Sequence, residues 1–176
     1  HSNFEDFDTG EKLPENLDKD DPKTTQMLQD IQKKQIQFVK SISGFDYVSN
    51  LQFGNLDNKP GWMGQHNTEW ITQGALDFIN SAKKSKKPFY LHLANSMPHS
   101  PDIIKSIRQE NKYTLGGKLE SYLTCHPPRQ TIIDRLKKAG LDTTGPIASI
   151  NAGTLYLDDQ LAAIRKTLEE QGLADN

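Results

Sequence analysis

The stretch that decides the fold is residues 87–95, KPFYLHLAN, followed by SMPHSP at residues 96–101. Residues 89–94 form a nearly continuous apolar run of strand length, which is typical of a β-strand covered on both faces in a parallel sheet. Two prolines, Pro98 and Pro101, then border a tight turn. The sequence therefore predicts a buried strand that runs directly into a restrained turn.

The residues before this run alternate between helical and strand patterns. Asp21 and Pro22 open a predicted helix, because an acidic cap followed by proline is a common helix start. A short strand is predicted over residues 45–51. Asn67 or Thr68 caps the next predicted helix, whose apolar positions recur three and four residues apart.

The residues after the turn are predicted to be mainly helical. One helix begins near Pro127, and a longer one spans about residues 146–173. The long helix has an apolar stripe formed by Ile150, Leu157, Leu161, Ile164 and Leu168.

This order of elements predicts an α/β fold in which a right-handed crossover joins two parallel strands. Two strands do not make a stable sheet, so we expect a partial parallel sheet flanked by helices, within a larger domain. Residues 1–21 are expected to form an acidic loop, and residues 22–176 the α/β segment.

The composition excludes several classes of protein. The chain has 176 residues, a net charge of −2 and no apolar run long enough to cross a bilayer, so we expect neither nucleic acid nor a membrane as a partner. A single cysteine, Cys125, cannot form an internal disulfide. The hydrophobic fraction of 34% is low for a self-sufficient domain of this size, which suggests that the chain is a piece of a longer protein.

His99 is the strongest candidate for a catalytic residue. It follows the carboxyl end of the predicted buried strand, where ligands bind in open α/β sheets. The neighbouring prolines restrict its backbone, and an imidazole there could donate to an anion or protonate a leaving group. A structural turn histidine is the alternative.

His66 is the second candidate, for binding substrate. It directly precedes a predicted helix start, and helix N-termini suit anions. Capping by Asn67 explains part of the pattern without any ligand. No metal-ligand spacing was found among the histidines and Cys125.

Four motifs, in this order, resemble the central part of the sulfatase family. They are GFDY at residues 44–47, ALDFI at 75–79, KPFYLHLA at 87–94 running into PHSP at 98–101, and YLDDQ at 156–160 with LEEQGLADN at 168–176. The resemblance covers roughly residues 44–176 and is least clear between 106 and 144. It identifies residues 1–176 as the central part of a sulfatase catalytic domain.

The resemblance implies an alkaline phosphatase-like α/β fold and a sulfuric ester hydrolase. In that family a formylglycine hydrate attacks the sulfur of a sulfate ester that is held by calcium, lysines and histidines. His99 matches the family histidine that contacts the sulfate. The implied substrate is a small-molecule or carbohydrate sulfate ester, and the implied location is periplasmic or secreted.

Several family motifs are missing from this sequence. The paired metal-binding aspartates, the usual nucleophile segment and the later metal-binding motif are absent, so the implied calcium ion has no predicted ligand in this chain. We therefore expect the chain by itself to be inactive.

Residues 125–129, CHPPR, spell the family's nucleophile motif Cys-x-Pro-x-Arg. They follow the His99 motif instead of preceding it, and no aspartate pair comes before them on a strand. We therefore interpret Cys125 as a loop cysteine before a helix, with a modified nucleophile as the alternative.

Two other functions remain open at this point. A related phosphoesterase or phosphonate hydrolase has similar motifs, and a non-catalytic α/β interaction domain needs none of this chemistry. An uncovered apolar edge would favour a piece of a larger protein, whereas a closed core would favour an independent domain.

Overall fold

The computed structural model describes residues 13–14, 16–52, 54–59, 61–85 and 87–175. Helices account for 54% of the described residues, so the structure is mostly helical. The α-helices are α1 (Pro22–Ser43), α2 (Thr68–Ser85), α3 (Ile103–Ile107), α4 (Gln130–Lys138) and α5 (Gly145–Glu170). Two short 3₁₀ helices, Leu56–Asn58 and Gly61–Met63, precede α2.

The predicted parallel α/β sheet is wrong. The sheet found in the described part of the chain has two short antiparallel strands, β1 (Tyr113–Thr114) and β2 (Gly117–Lys118). The residues predicted as parallel strands lie in segment 45–52 and segment 87–96, and neither is a strand. An alkaline phosphatase-like fold is therefore not what this chain adopts.

Segments 45–52 and 87–96 nevertheless lie side by side. The ring of Phe45 stacks near the rings of Tyr90 and His92, with centroids 6.4 Å apart in each pair. At the other end, Ser96 Oγ lies 3.2 Å from Gln52 Oε1. Among the described residues no backbone hydrogen bond joins the two segments, so they are neighbours without forming a ladder.

Side chains form hydrogen bonds with backbone groups of segment 45–52 that a β-ladder would otherwise use. The amide of Gln32 in α1 donates to Leu51 O at 2.6 Å and accepts from Leu51 N–H at 3.2 Å. Asn50 has a left-handed backbone with φ of 51°, and its side-chain amide donates to Trp70 O. This bend and these bonds interrupt the regular extended path that pairing requires.

The helices begin and end largely as the sequence predicts. The Asp21 carboxylate accepts from Lys23 N–H at the start of α1, with Pro22 in the first turn. Gly44 ends α1 in the left-handed conformation, with φ of 73°. The helix predicted from Pro127 begins slightly later, at Gln130.

The apolar core is formed mainly where α3, α4 and α5 meet. Its buried members are Met97, Ile103, Ile104, Ile107, Ile132, Ile133, Leu136, Ala148, Ala152 and Tyr156. The face of α5 that packs into this core consists of small, aromatic and polar residues. The predicted stripe on α5 is therefore not its buried face, and Ile150 and Leu161 are exposed.

The predicted acidic loop falls largely on residues that the structure does not describe, namely residues 1–12 and 15. From residue 16 to residue 21 the chain has no helix or strand. Asp20, in this part, accepts from Tyr113 O–H at 2.9 Å and from Lys118 Nζ at 2.5 Å. These bonds connect the chain before α1 to the β1–β2 hairpin.

Candidate functional site

The predicted catalytic residue His99 lies in the turn that follows segment 87–96. Its N–H donates to Ser96 O at 3.0 Å, which closes the turn, and its side chain is exposed. Its Nδ1 lies 3.1 Å from Ser100 Oγ and 3.3 Å from Ser100 O. In the described part of the chain nothing bonds to its Nε2, so this nitrogen is available to a ligand.

Asp57 holds the serine beside the His99 ring. Ser100 Oγ donates its one proton to Asp57 Oδ2, so toward His99 this oxygen can only accept. The proton between His99 and Ser100 therefore belongs to His99 Nδ1. The neutral ring then presents Nε2 as an acceptor, and the protonated ring presents Nε2–H as a donor.

The second predicted residue, His66, supports the same turn from inside. Its ring is fully buried, with Nε2 3.0 Å from Pro101 O and Nδ1 2.8 Å from Ser96 Oγ. Because a carbonyl oxygen can only accept, Nε2 carries the proton and Nδ1 is an acceptor. The Ser96 hydroxyl has one proton for two acceptors, His66 Nδ1 and Gln52 Oε1. His66 thus connects both ends of the turn that carries His99.

Burial keeps the His66 ring neutral. Desolvation lowers the pKa of His66, and the backbone carbonyls of Pro101 and His99 and the charge of Asp57 offset this only in part. The structure brings the two predicted residues together, with one ring exposed and the other buried. Direct contact of His66 with a substrate stays a prediction.

The CHPPR motif lies apart from this turn, at the start of α4 and against α2. Cys125 Sγ donates to Glu69 O at 3.3 Å. Burial, together with the negative charge of Glu69, raises the pKa of the Cys125 thiol to about 12. An unmodified thiol here is protonated at neutral pH, which supports the interpretation of Cys125 as a loop cysteine.

The arginine of that motif is engaged in a buried ion pair. Arg129 donates from Nε to Glu69 Oε1 at 2.7 Å and from Nη2 to Glu69 Oε2 at 2.8 Å. Its remaining N–H groups donate to Ser106 O, Gln109 O and Asn67 Oδ1. All five donors are used, so Arg129 has a structural role and is not available to an anion.

Tyr156 of α5 completes this buried cluster. Its hydroxyl donates to Glu69 Oε2. Burial, reinforced by the charge of Glu69, holds the pKa of Tyr156 well above its ordinary value. Burial would also raise the pKa of Glu69, but the hydrogen bonds and charge of Arg129 outweigh it and leave the Glu69 pKa lowered. The cluster therefore holds an ionised carboxylate at neutral pH.

His126, the remaining member of the motif that carries a titratable group, is also buried. Its Nε2 lies 2.8 Å from Thr72 Oγ1, and this hydroxyl donates to Thr68 O and accepts from Gln160 Nε2. His126 Nδ1 is buried without a hydrogen-bond partner in the described chain. Burial lowers the pKa of His126, since protonation would add an N–H group with no acceptor.

A groove of about 740 Å³ lies between segment 45–52, segment 87–96 and α2. Its walls include the aromatic side chains of Phe45, Tyr47, Phe78 and Phe89. Neither His66 nor His99 lines it. The groove is therefore a separate feature from the turn that carries His99.

The described residues do not fit the calcium ion that the sulfatase resemblance implies. No three His, Cys, Asp or Glu side chains among them come close enough together to hold a metal ion. We therefore derive no chemical step that uses calcium. In the same part of the chain, no helix combines the length and the apolar character that crossing a bilayer requires.

Comparison with protein-family models and with curated proteins finds no match for this chain. The sulfatase resemblance consequently rests on the sequence motifs alone.

Sequence reasoning missed the side chains that position His99. Asp57 lies in a Gly- and Asn-rich loop, which predicts a turn but gives no sign that its carboxylate reaches Ser100. Ser96 appears in the sequence only as a turn residue, yet it bonds to His66. No spacing rule relates residues 57 and 100, so this contact depends on the fold.

Proposed function

We propose that this chain contributes the anion-contacting part of a sulfuric ester hydrolase, with His99 donating a hydrogen bond to a sulfate oxygen. The proposal combines the motif resemblance with one observation: His99 has an exposed ring whose Nδ1 is engaged by Ser100, while its Nε2 has no partner among the described residues. His66 then acts by positioning the turn.

The arrangement suits an anion that develops negative charge on oxygen. A protonated imidazole supplies both a charge and a directed N–H, and a fixed donor stabilises such charge better than a mobile one. Asp57 would repel a sulfate, so we place the anion at Nε2, on the side of the ring away from Ser100. The pairing of Nδ1 with Ser100 keeps the ring in that orientation.

The first test measures anion binding by NMR titration of the chain with an aryl sulfate. We expect shifts of the His99 ring and of the backbone over residues 96–101. His99→Ala should weaken binding by roughly tenfold or more, since a hydrogen bond to a charged group contributes about 1.5–3 kcal/mol.

The matched control is His92→Ala, which removes another exposed histidine from the segment just before this turn. It should leave the affinity unchanged. Equal affinity of the wild-type chain and His99→Ala, or equal loss in both variants, would contradict the proposal. A parallel titration with an aryl phosphate distinguishes a sulfatase from the related phosphoesterases.

The second test concerns turnover. We expect no hydrolysis of an aryl sulfate by this chain with added calcium, because Cys125 lies against α2 and apart from His99, and the described residues form no metal-binding group. Cys125→Ala should behave like the wild type in the same assay. Robust turnover that Cys125→Ala abolishes would instead identify Cys125 as the nucleophile.

The substrate class and the location follow from the same resemblance. A small-molecule or carbohydrate sulfate ester would be the substrate of the complete enzyme, and a periplasmic or secreted location would be expected. In that enzyme, His99→Ala should lower sulfate ester turnover by about a hundredfold, a typical contribution for a positioned acid–base group.

A further inference from the structure

The long helix α5 carries an apolar stripe that the described chain leaves largely uncovered. Three of its side chains are strongly exposed: Ile147 at 71%, Ile150 at 53% and Leu161 at 63%. The stripe continues through the half-buried residues Leu157, Ile164 and Leu168. Scattered single exposed apolar residues are ordinary, but a continuous row along one helix is a feature of interaction surfaces.

Most of the stripe is distinct from the face of α5 that packs on its own chain, and Leu157 lies at the border, where it also contacts the core of its own subunit. That face holds Ala148, Ala152, Tyr156 and Gln160, all buried against the neighbouring helices. The helix therefore has two faces suited to packing, and one of them is already buried against the neighbouring helices of the same chain. A helix with a second apolar face needs a second partner to bury it.

The spacing of the stripe fits another helix as that partner. From Ile147 to Leu168 the positions recur alternately three and four residues apart, with Thr154 completing the series. This is the a and d pattern of a coiled-coil seam, in which side chains of one helix pack between those of another. We propose that the occupant is α5 of a second copy, packed antiparallel to form a homodimer.

Charge complementarity selects the antiparallel register. Asp158 and Arg165 are exposed and flank the seam on the same side. When Leu161 of one copy packs against Ile164 of the other, each Asp158 lies opposite the Arg165 of the second copy. In this register Leu157 meets Leu168, so two apolar layers are repeated by the two-fold axis.

The contacts of Asp158 and Arg165 within their own chain leave both side chains able to form ion pairs across the seam. Asp158 has no hydrogen bond or ion pair within the described chain, while Arg165 bonds to Glu169 through Nε alone. The terminal nitrogens of Arg165 therefore remain for the partner. Charges at such a rim chiefly fix register and orientation, whereas the apolar layers provide most of the affinity.

Other helix arrangements are less compatible with these residues. Sliding the antiparallel pair by one heptad step, so that Leu157 meets Leu161, brings the two Asp158 carboxylates opposite each other. A parallel pair would place Asp158 and Arg165 beside Gly153 and Gln160 of the partner, but those two residues are buried in their own subunit. Only the proposed register pairs opposite charges twice.

The experiment measures the mass of the chain in solution by light scattering over a wide concentration range. We expect a concentration-dependent rise toward twice the 19.9 kDa of one chain. Leu161→Glu, which places a charge in the seam, should shift the dissociation constant upward by at least about tenfold. Leu141→Glu makes the same change at an exposed leucine outside α5 and should leave the dimer intact.

The charge pairs provide a test of the register. Asp158→Arg and Arg165→Asp should each weaken the dimer, and the double variant should restore it, because the opposite charges are then exchanged. Circular dichroism establishes that each variant keeps its helices. A chain that stays monomeric at every concentration, or a dimer that tolerates Leu161→Glu, overturns the proposal. Failure of the double variant to recover overturns the proposed antiparallel register.

Discussion

Glu69→Gln is expected to lower the free energy of unfolding by about 3–5 kcal/mol, the usual cost of breaking a buried ion pair by removing one partner. The substitution keeps the shape of the side chain but removes its charge. Arg129 would then remain buried with its positive charge uncompensated, because its other acceptors are neutral oxygens of Ser106, Gln109 and Asn67. Chemical denaturation measures this change.

A matched control separates the effect of burial on stability from the effect of losing a carboxylate charge. Glu170→Gln removes the same charge from an exposed pair with Lys166 on α5. Its effect should be no more than about 0.5 kcal/mol, as for other exposed pairs of this kind. Similar losses in the two variants would mean that the Glu69–Arg129 pair contributes no more than a surface ion pair.

The double variant Glu69→Leu with Arg129→Met offers a further comparison. Removing both charges leaves no uncompensated ion, so this variant should be more stable than Glu69→Gln. It would still lose the hydrogen bond from Tyr156 and those to the backbone of α3 and the turn after it. A double variant less stable than the single one would show that these neutral hydrogen bonds outweigh the cost of the buried charge.

The helices could be predicted from sequence because their signals are local. The cap at Asp21, the proline after it and the glycine at residue 44 fix the ends of α1 within one stretch of chain. The apolar spacing in α2 likewise lies within one helix. Local signals of this kind do not require knowledge of what packs where.

The sheet could not be predicted in the same way, since strand pairing depends on distant partners. The apolar run over residues 89–94 has strand composition, yet among the described residues it makes no backbone hydrogen bond to a neighbouring segment. Gln32 and Asn50, which hold segment 45–52 instead, show no pattern in the sequence that reveals these bonds. A groove with aromatic walls therefore remains beside α2, between the two segments.

The sequence indicates both histidines of the candidate site, but it does not indicate that one is exposed and that the other is buried beneath the same turn. The proline-bordered turn marks His99, and the structure places its ring at the surface. His66 is 33 positions earlier in the chain, and nothing in its local sequence indicates that it supports the same turn from the interior. The buried pair of Glu69 and Arg129 was missed because charged residues near a helix start usually face solvent.

The free energy of unfolding is expected to fall as the pH is lowered below about 6.5, and two buried histidines are the reason. Burial lowers the pKa of both His66 and His126 in the folded protein. The unfolded chain therefore takes up protons first as the pH falls, which favours unfolding. Stability is full above the unfolded pKa of about 6.5 and declines until the folded histidines also protonate.

The groups around each ring support this direction. His126 faces the carboxylates of Glu69 and Asp159, which favour its protonation, and the guanidinium of Arg129, which opposes it, but desolvation is the largest influence. The Glu69 pKa is itself lowered, so the stability that Glu69 provides is lost at a lower pH, below the ordinary range of a glutamate. The decline due to the histidines therefore begins at a higher pH than the decline due to Glu69.

Denaturation curves measured between about pH 7 and 5 test this prediction, because each histidine contributes a slope of at most about 1.4 kcal/mol per pH unit. His126→Gln should remove its share of the slope, since glutamine can still bond to Thr72 but does not titrate. The control His92→Gln changes an exposed histidine and should leave the slope as it is. A stability that stays constant over this range, or an unchanged slope in His126→Gln, would mean that the buried His126 ring does not resist protonation.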